Sequence, residues 1–320
     1  MKIQKKRSMP GQERPLLSQK KNTLKWKFNW KGPKIMKIVS TMDFGPVDFM
    51  ARISRHNCDI MIVATEEPIT LPPTTSIFNA ARIMSKGRIS KIPVADTETN
   101  HLEGMITSTD TINFLTSNPY AAANTDIRSV MHDEAMYLER KVRVTDTIKI
   151  MKEKNIGGIP VVDELRHVCG ICTEKDFMGL VAGIPANRSI SQYINKAVEK
   201  VPSYSTIESA VVTIVRRGFQ KIPVMSKDRL LGIITASDIL GYLTTEHAFG
   251  NIIKGNFQKN LKKPISSLIK KNAEPISSDA DLGKAAQIMI DNEVGSLTVM
   301  KDGIFHGIVT SRDILNAISE

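Results

Sequence analysis

One seven-residue pattern, Gly-apolar-x-Thr-x-x-Asp, occurs four times along this 320-residue chain. It reads Gly104-Met-Ile-Thr107-Ser-Thr-Asp110, then Gly170-Ile-Cys-Thr173-Glu-Lys-Asp176. The third copy is Gly232-Ile-Ile-Thr235-Ala-Ser-Asp238 and the fourth Gly307-Ile-Val-Thr310-Ser-Arg-Asp313. The aspartates lie 66, 62 and 75 positions apart. Upstream of each copy stands a second shared string: Ile92-Pro93-Val94, Ile159-Pro160-Val161, Ile222-Pro223-Val224 and the drifted Leu297-Thr298-Val299. Two strings in one order and at near-equal spacing identify a repeat protein, whose units bury their apolar faces against one another.

Each repeat has a readable skeleton. Apolar residues at helical spacing precede the Ile-Pro-Val string, as in Ile77, Ala80, Ala81 and Met84 or Ile207, Ala210, Val211 and Ile214. Ser205-x-x-Glu208 and Ser278-x-x-Asp281 read as capping boxes that open two of these helices. The Ile-Pro-Val run reads as a short buried strand entered through its proline. The β-branched Gly-Ile-Ile-Thr run reads as a second strand, and a second helix follows each motif aspartate, which can cap it. The fold class expected is α/β (α+β), a β-α-β-β-α unit repeated four times.

This two-part motif resembles that of the CBS (cystathionine-β-synthase) domain family, over roughly residues 60–320. The resemblance implies that units pair through their sheets into two Bateman modules. The expected boundaries are 41–184 (units at about 60–118 and 126–183) and 185–320 (units at about 188–245 and 262–320), with 246–263 inserted before the last unit. A single-chain disc or a homodimer follows from the same resemblance.

The resemblance also implies a ligand. In ligand-binding members the motif aspartate accepts hydrogen bonds from the ribose hydroxyls of an adenosyl compound, which maps here to Asp110, Asp176, Asp238 and Asp313. The motif hydroxyl, at Thr107, Thr173, Thr235 and Thr310, reaches ribose or phosphate. Adenine would meet strand-end apolar groups, for which Ile69, Ile92, Ile159, Ile222 and Ile276 are candidates, although all would serve equally as core. Odd repeats carry Ser90-Lys91 and Gln220-Lys221 before the first strand, where even repeats carry Gly157-Gly158 and Gly295-Ser296. Lys91 and Lys221 are therefore the phosphate candidates. AMP, ADP, ATP, S-adenosylmethionine and methylthioadenosine share the adenosyl part. The same aspartates could instead cap helices in empty clefts.

Other features exclude more than they assign. Cys172 of Cys169-x-x-Cys172 fills the slot of Ile106, Ile234 and Val309, so it reads as a core residue rather than a zinc ligand. No phosphate-binding Gly-Lys-Ser/Thr loop and no nucleophile–base set is present, so the chain reads as a non-catalytic regulator that signals to a protein partner. No run approaches the ~20 apolar residues of a membrane span, and no apolar leader follows the basic start, so the expectation is a cytoplasmic protein without metal or catalytic cofactor.

The formal charge of +11 lies wholly in residues 1–40, which hold twelve Lys and Arg and one Glu, while 41–320 is neutral. Within that arm Lys25-Trp26-Lys27-Phe28-Asn29-Trp30-Lys31 sets Trp26, Phe28 and Trp30 on one face of an extended strand and lysines on the other. Such a segment can stack on single-stranded nucleic acid, anchor on an anionic membrane or dock on protein. A nucleic-acid-associated regulator is thus a competing reading.

Overall fold

The computed structural model describes residues 59–269 and 275–319. The aromatic arm with Trp26, Phe28 and Trp30 lies outside them. Each repeat is a helix, a two-stranded antiparallel hairpin and a second helix. In the first repeat these are α1 (Ile77–Gly87), β2 (Lys91–Ala95), β3 (Leu102–Thr107) and α2 (Ser108–Ser117), preceded by the short β1 (Thr65–Glu66). The second has β4 (Leu138–Glu139), α3 (Val144–Glu153), β5 (Gly158–Val162) and β6 (Val168–Thr173), and ends on a 3-10 helix over Glu174–Leu180. The third has β7 (Val201–Pro202), α4 (Ile207–Arg217), β8 (Lys221–Ser226), β9 (Arg229–Thr235) and α5 (Ala236–Leu243). Two inserted helices, α6 (Glu246–Ile253) and α7 (Gln258–Leu261), separate it from the fourth. That repeat has β10 (Ile276–Ser277), α8 (Leu282–Asp291), β11 (Ser296–Lys301), β12 (Ile304–Thr310) and α9 (Ser311–Ile318).

The local chemistry departs from the sequence reading in two places. The helix caps are Thr206 and Asp281, which accept from Ser209 N and Gly283 N, rather than Ser205 and Ser278. A cap must sit one residue before the first helical φ/ψ, and the expected boxes began too early. The proline lies inside the strand, not at its entrance. Pro93 O accepts from Leu71 N, so the Pro93 nitrogen faces the same edge, where the neighbouring strand has only begun and no acceptor waits. All four hairpins carry a bulge just after this point, at Val94/Ala95, Val161/Val162, Val224/Met225 and Val299/Met300.

Repeats pair in two different ways. Sheets join repeat 1 to repeat 2 and repeat 3 to repeat 4. Ala95 and Leu102 meet Val162 and Val168 in the first pair, where Leu102 N also donates to Arg166 O at 2.9 Å. In the second pair Phe305 and Ile308 meet Val198, Met225, Leu230 and Ile233. Helices join repeat 1 to repeat 3 and repeat 2 to repeat 4. One core runs through Ile77, Met84 and Leu115 of repeat 1 and Ile207, Ile239 and Leu243 of repeat 3. The other unites Ile148, Phe177 and Met178 of repeat 2 with Met289, Ile314 and Leu315 of repeat 4. Aliphatic side chains dominate both, each contributing about 1.5–3 kcal/mol on full burial.

The segment leading into each repeat sits on its sheet partner. Ile60 N donates to Val142 O at 2.7 Å and Ile127 N to Thr75 O at 2.8 Å, so repeats 1 and 2 exchange leaders. Ile190 N donates to Ala280 O at 2.9 Å and Ile265 N to Ser205 O at 2.7 Å, which repeats the exchange in the second pair. The motif glycine makes room for this crossing: a Cβ on Gly104 would lie 2.5 Å from His132 O, and one on Gly307 2.5 Å from Asn195 O. The insertion joins the core of repeats 1 and 3 through Ile252, Phe257 and Leu261, and its Phe249 ring meets Phe78 of α1 at 4.6 Å.

Candidate functional site

The motif threonine ends the second strand and caps the next helix, and the aspartate is the third helical residue. Thr Oγ1 donates to Asp Oδ2 at 2.6 Å (Thr107–Asp110), 2.7 Å (Thr173–Asp176), 2.6 Å (Thr235–Asp238) and 2.7 Å (Thr310–Asp313). The threonine N–H donates to the same oxygen in all four. These are reciprocal capping boxes, so each carboxylate is held at a strand end by its own helix. All eight side chains are half-buried.

Beyond the shared cap, further contacts to the carboxylate distinguish the sites. Thr65, from the exchanged leader, donates to Asp176 Oδ1 at 2.9 Å. His132, from the other exchanged leader, brings Nε2 to 3.2 Å from Asp110 Oδ2. Burial raises the Asp176 carboxyl above the usual carboxylate range, against the pull of its hydrogen bonds from Thr173 and Thr65. Burial also raises Asp313, and nearby Glu174 adds to the rise.

The alternation of Lys and Gly between odd and even repeats becomes a spatial pairing. Lys91 lies opposite Thr107 across β2–β3, and Lys221 opposite Thr235 across β8–β9. Each lysine reaches over its sheet partner. A Cβ on Gly158 would stand 2.9 Å from Lys91 Cδ, and Lys221 Nζ donates to Gly295 O at 2.6 Å. Burial lowers the pKa of Lys91 and brings that of Lys221 to about 8, although Glu174 pulls both upward.

Two more cations cross between the pairs. Arg312 of repeat 4 donates through Nε to Glu174 Oε1 at 2.5 Å and through Nη1 to Asn155 Oδ1, both in repeat 2. Lys175 of repeat 2 approaches Gly295 of repeat 4, where an added Cβ would stand 3.0 Å from Lys175 Cε. Charged groups from all four repeats thus converge beside the Thr–Asp motifs. The sequence pattern assigns no role to Lys175, Arg312 or Glu174. Its slot is filled by Ser108, Ala236 and Ser311 elsewhere, and that contrast would have singled it out.

The apolar candidates fall differently. Ile92, Ile159 and Ile222 have 0% exposure and Ile276 has 4%, so these four form core and present almost no surface to a base. Ile69 alone is half-buried. Two open clefts, of 420 and 510 Å³, lie away from the motif, one around Thr75, Ser76 and Asp126 and the other around Arg82, Lys86 and Thr245. Cys172 is fully buried and Cys169 Sγ donates to Val161 O. Among the described residues no group of three or more His, Cys, Asp or Glu is placed to hold a metal, and no helix is long and apolar enough to cross a membrane.

Four such units, joined sheet to sheet in two pairs with a Thr–Asp capping box at each second strand, define a tandem repeat protein of the Bateman-module class. The chain belongs to the CBS domain family, which matches residues 59–117, 127–183, 190–245 and 265–320. MJ1225 of Methanocaldococcus jannaschii is 28% identical over 269 residues, covering 79% of this chain and 96% of that protein. Its crystal structure, described as that of a proposed archaeal homologue of γ-AMPK, matches with a TM-score of 0.75 over 81% of this chain and 99% of its own. The 33.4 kDa protein in the ribosomal RNA operon of Thermofilum pendens is 24% identical over 265 residues, covering 78% of this chain and 88% of the relative. A conserved protein from Pyrococcus horikoshii shares the fold at 16% identity, with a TM-score of 0.54 over 82% of this chain and 100% of its own.

Proposed function

We propose that this chain is a non-catalytic regulatory protein that binds adenine nucleotides between its paired repeats and passes their occupancy to a protein partner. The observation that carries this reading is the convergence of Lys91, Lys221, Lys175 and Arg312 next to the Thr–Asp motifs. The motif carboxylates offer acceptors for a vicinal diol, and the lysines one strand away offer charge for phosphates. A methionine-bearing adenosyl ligand has no phosphate to meet those cations, so the charge favours AMP, ADP or ATP over S-adenosylmethionine. The likeness to MJ1225, described as a proposed archaeal homologue of γ-AMPK, over nearly its full length supports the regulatory part of this reading. Signalling follows if the ligand binds two arrangements of the module pair with different affinity.

Calorimetry with AMP, ATP, S-adenosylmethionine and adenosine on the full chain tests this, repeated on Asp→Asn variants at 110, 176, 238 and 313. Asn keeps a carbonyl acceptor for the cap while removing the charge and one acceptor oxygen. Nucleotide binding that weakens in these variants supports the proposal. No heat with any adenosyl compound overturns it and leaves a structural interaction module.

A further inference from the structure

Glu174 pairs with Arg312 and pulls the pKa of both Lys91 and Lys221 upward. It receives Arg312 Nε on Oε1 and the Ser311 hydroxyl on Oε2 at 3.3 Å, both from repeat 4. Gly157 is closely surrounded: a Cβ there would stand 2.8 Å from Glu174 Oε1, 3.0 Å from Arg312 Nη2 and 3.1 Å from Lys91 Nζ. Groups from repeats 1, 2 and 4 therefore close on one point. Lys221 of repeat 3 senses the same carboxylate, which counters the drop that burial imposes on its pKa. The other three repeats hold a small residue in this slot, so the helix start does not require an acid there.

Lys91, Lys221 and Arg312, all half-buried, repel one another strongly unless an anion stands among them. Glu174 is 18% exposed and Arg312 34%, so their pair is withdrawn from solvent and screened less than a surface bridge. We infer that Glu174 is a built-in counter-anion: its carboxylate occupies the seat that a phosphate group of a ligand takes, and binding of that phosphate displaces Glu174 from Arg312. Because Arg312 and Glu174 belong to different module pairs, this exchange breaks one direct tie between the modules. Ligand binding is thereby linked to the contact that joins them. The inference deepens the nucleotide reading and rests on it for the identity of the ligand, but not for its anionic chemistry.

The test uses inorganic pyrophosphate as the probe, with adenosine in a parallel arm, on the full chain and on Glu174→Gln. Removing the negative charge should tighten pyrophosphate at least ~10-fold, about 1.4 kcal/mol, while adenosine affinity stays equal. Equal or weaker pyrophosphate binding by E174Q, or binding by neither chain, overturns the inference. Should E174Q fail to fold, Glu174→Ser restores the residue type of repeats 1 and 4 at the same slot. If neither variant folds, the wild-type chain decides. With 15N-labelled arginine, pyrophosphate must move the Arg312 Nε–H resonance, and an unmoved resonance at saturation overturns the inference. The two readings fail separately. No adenosine or nucleotide binding with a tightened pyrophosphate response removes only the adenosyl ligand. Nucleotide binding without any gain in E174Q removes only the counter-anion.

Discussion

The Thr65 hydroxyl donates to Asp176 Oδ1 at 2.9 Å across 111 positions of the chain. It ties the leader of repeat 1 to the motif of repeat 2, and β1 runs antiparallel to β6 beside it, with Thr65 opposite Ile171. Thr65→Val keeps the shape and removes the donor. Leaving a withdrawn carboxylate oxygen unsatisfied should cost about 1–3 kcal/mol. A denaturant midpoint unchanged from wild type would show that water replaces the hydroxyl.

Asp176 should trade stability against binding. Burial raises its folded pKa above the unfolded value, so the folded state holds the proton more tightly. The resulting stability is present below the unfolded pKa and is lost as pH rises through the folded pKa. At pH 7 the buried charge is therefore a burden. Asp176→Asn should melt higher than wild type at pH 7, with the gap shrinking toward acid pH, while its nucleotide affinity drops. A lower melting temperature at every pH would assign the carboxylate a net stabilising role instead.

Lys221 gives the opposite sign. Its folded pKa of about 8 lies below the ordinary lysine value, so between the two the unfolded chain binds more protons and stability rises with pH. An anionic ligand favours the charged form and raises this pKa. Affinity for ATP should thus be flat below pH 8 and weaken above it, with proton uptake on binding. Lys221→Met should lose that dependence, and adenosine should not show it in either chain. Parallel pH profiles for ATP and adenosine would remove Lys221 from phosphate contact.

Two glycines form a matched pair. Gly307→Ala drives a Cβ to 2.5 Å from the Asn195 carbonyl of the exchanged leader, and backbone cannot swing aside as a side chain can. The cost should exceed ~2 kcal/mol, at the severe end for one methyl group. Gly250, within α6, has nothing within 4 Å of its Cβ position, so Gly250→Ala should stabilise by about 0.5–1 kcal/mol. Thermal melts of both variants check the contrast, and equal shifts would refute the close crossing at Gly307.

The cationic arm calls for its own measurement. If residues 1–40 bind nucleic acid, affinity should fall about 10³-fold or more between 50 and 200 mM salt for six or more phosphate contacts. A chain starting at residue 41 should lose that binding in a mobility-shift comparison. Equal retention by both would place any nucleic-acid contact on the repeats.

The number of repeats, the helix–hairpin–helix skeleton, the Thr–Asp motif and the Lys–Gly alternation were all legible in the residue order. Helical spacing, β-branched runs and hydroxyl–carboxylate pairs three residues apart act over one or two turns of chain, so neighbours in sequence are enough to write them. Even the duplication into two pairs was visible, because Lys91 and Lys221 stand where Gly158 and Ser296 stand one repeat later. What those residues face was decided only by tertiary structure. The leaders cross to their sheet partners because Ile60, Ile127, Ile190 and Ile265 find their burial there, and the motif glycine that admits the crossing reads in sequence as an ordinary strand residue. Likewise Glu174 is a helix-start acid until folding sets Arg312 against it from 138 positions away. Local patterning can state which side chains are buried or charged. Which buried face meets which, and which charge neutralises which, depends on packing two cores at once.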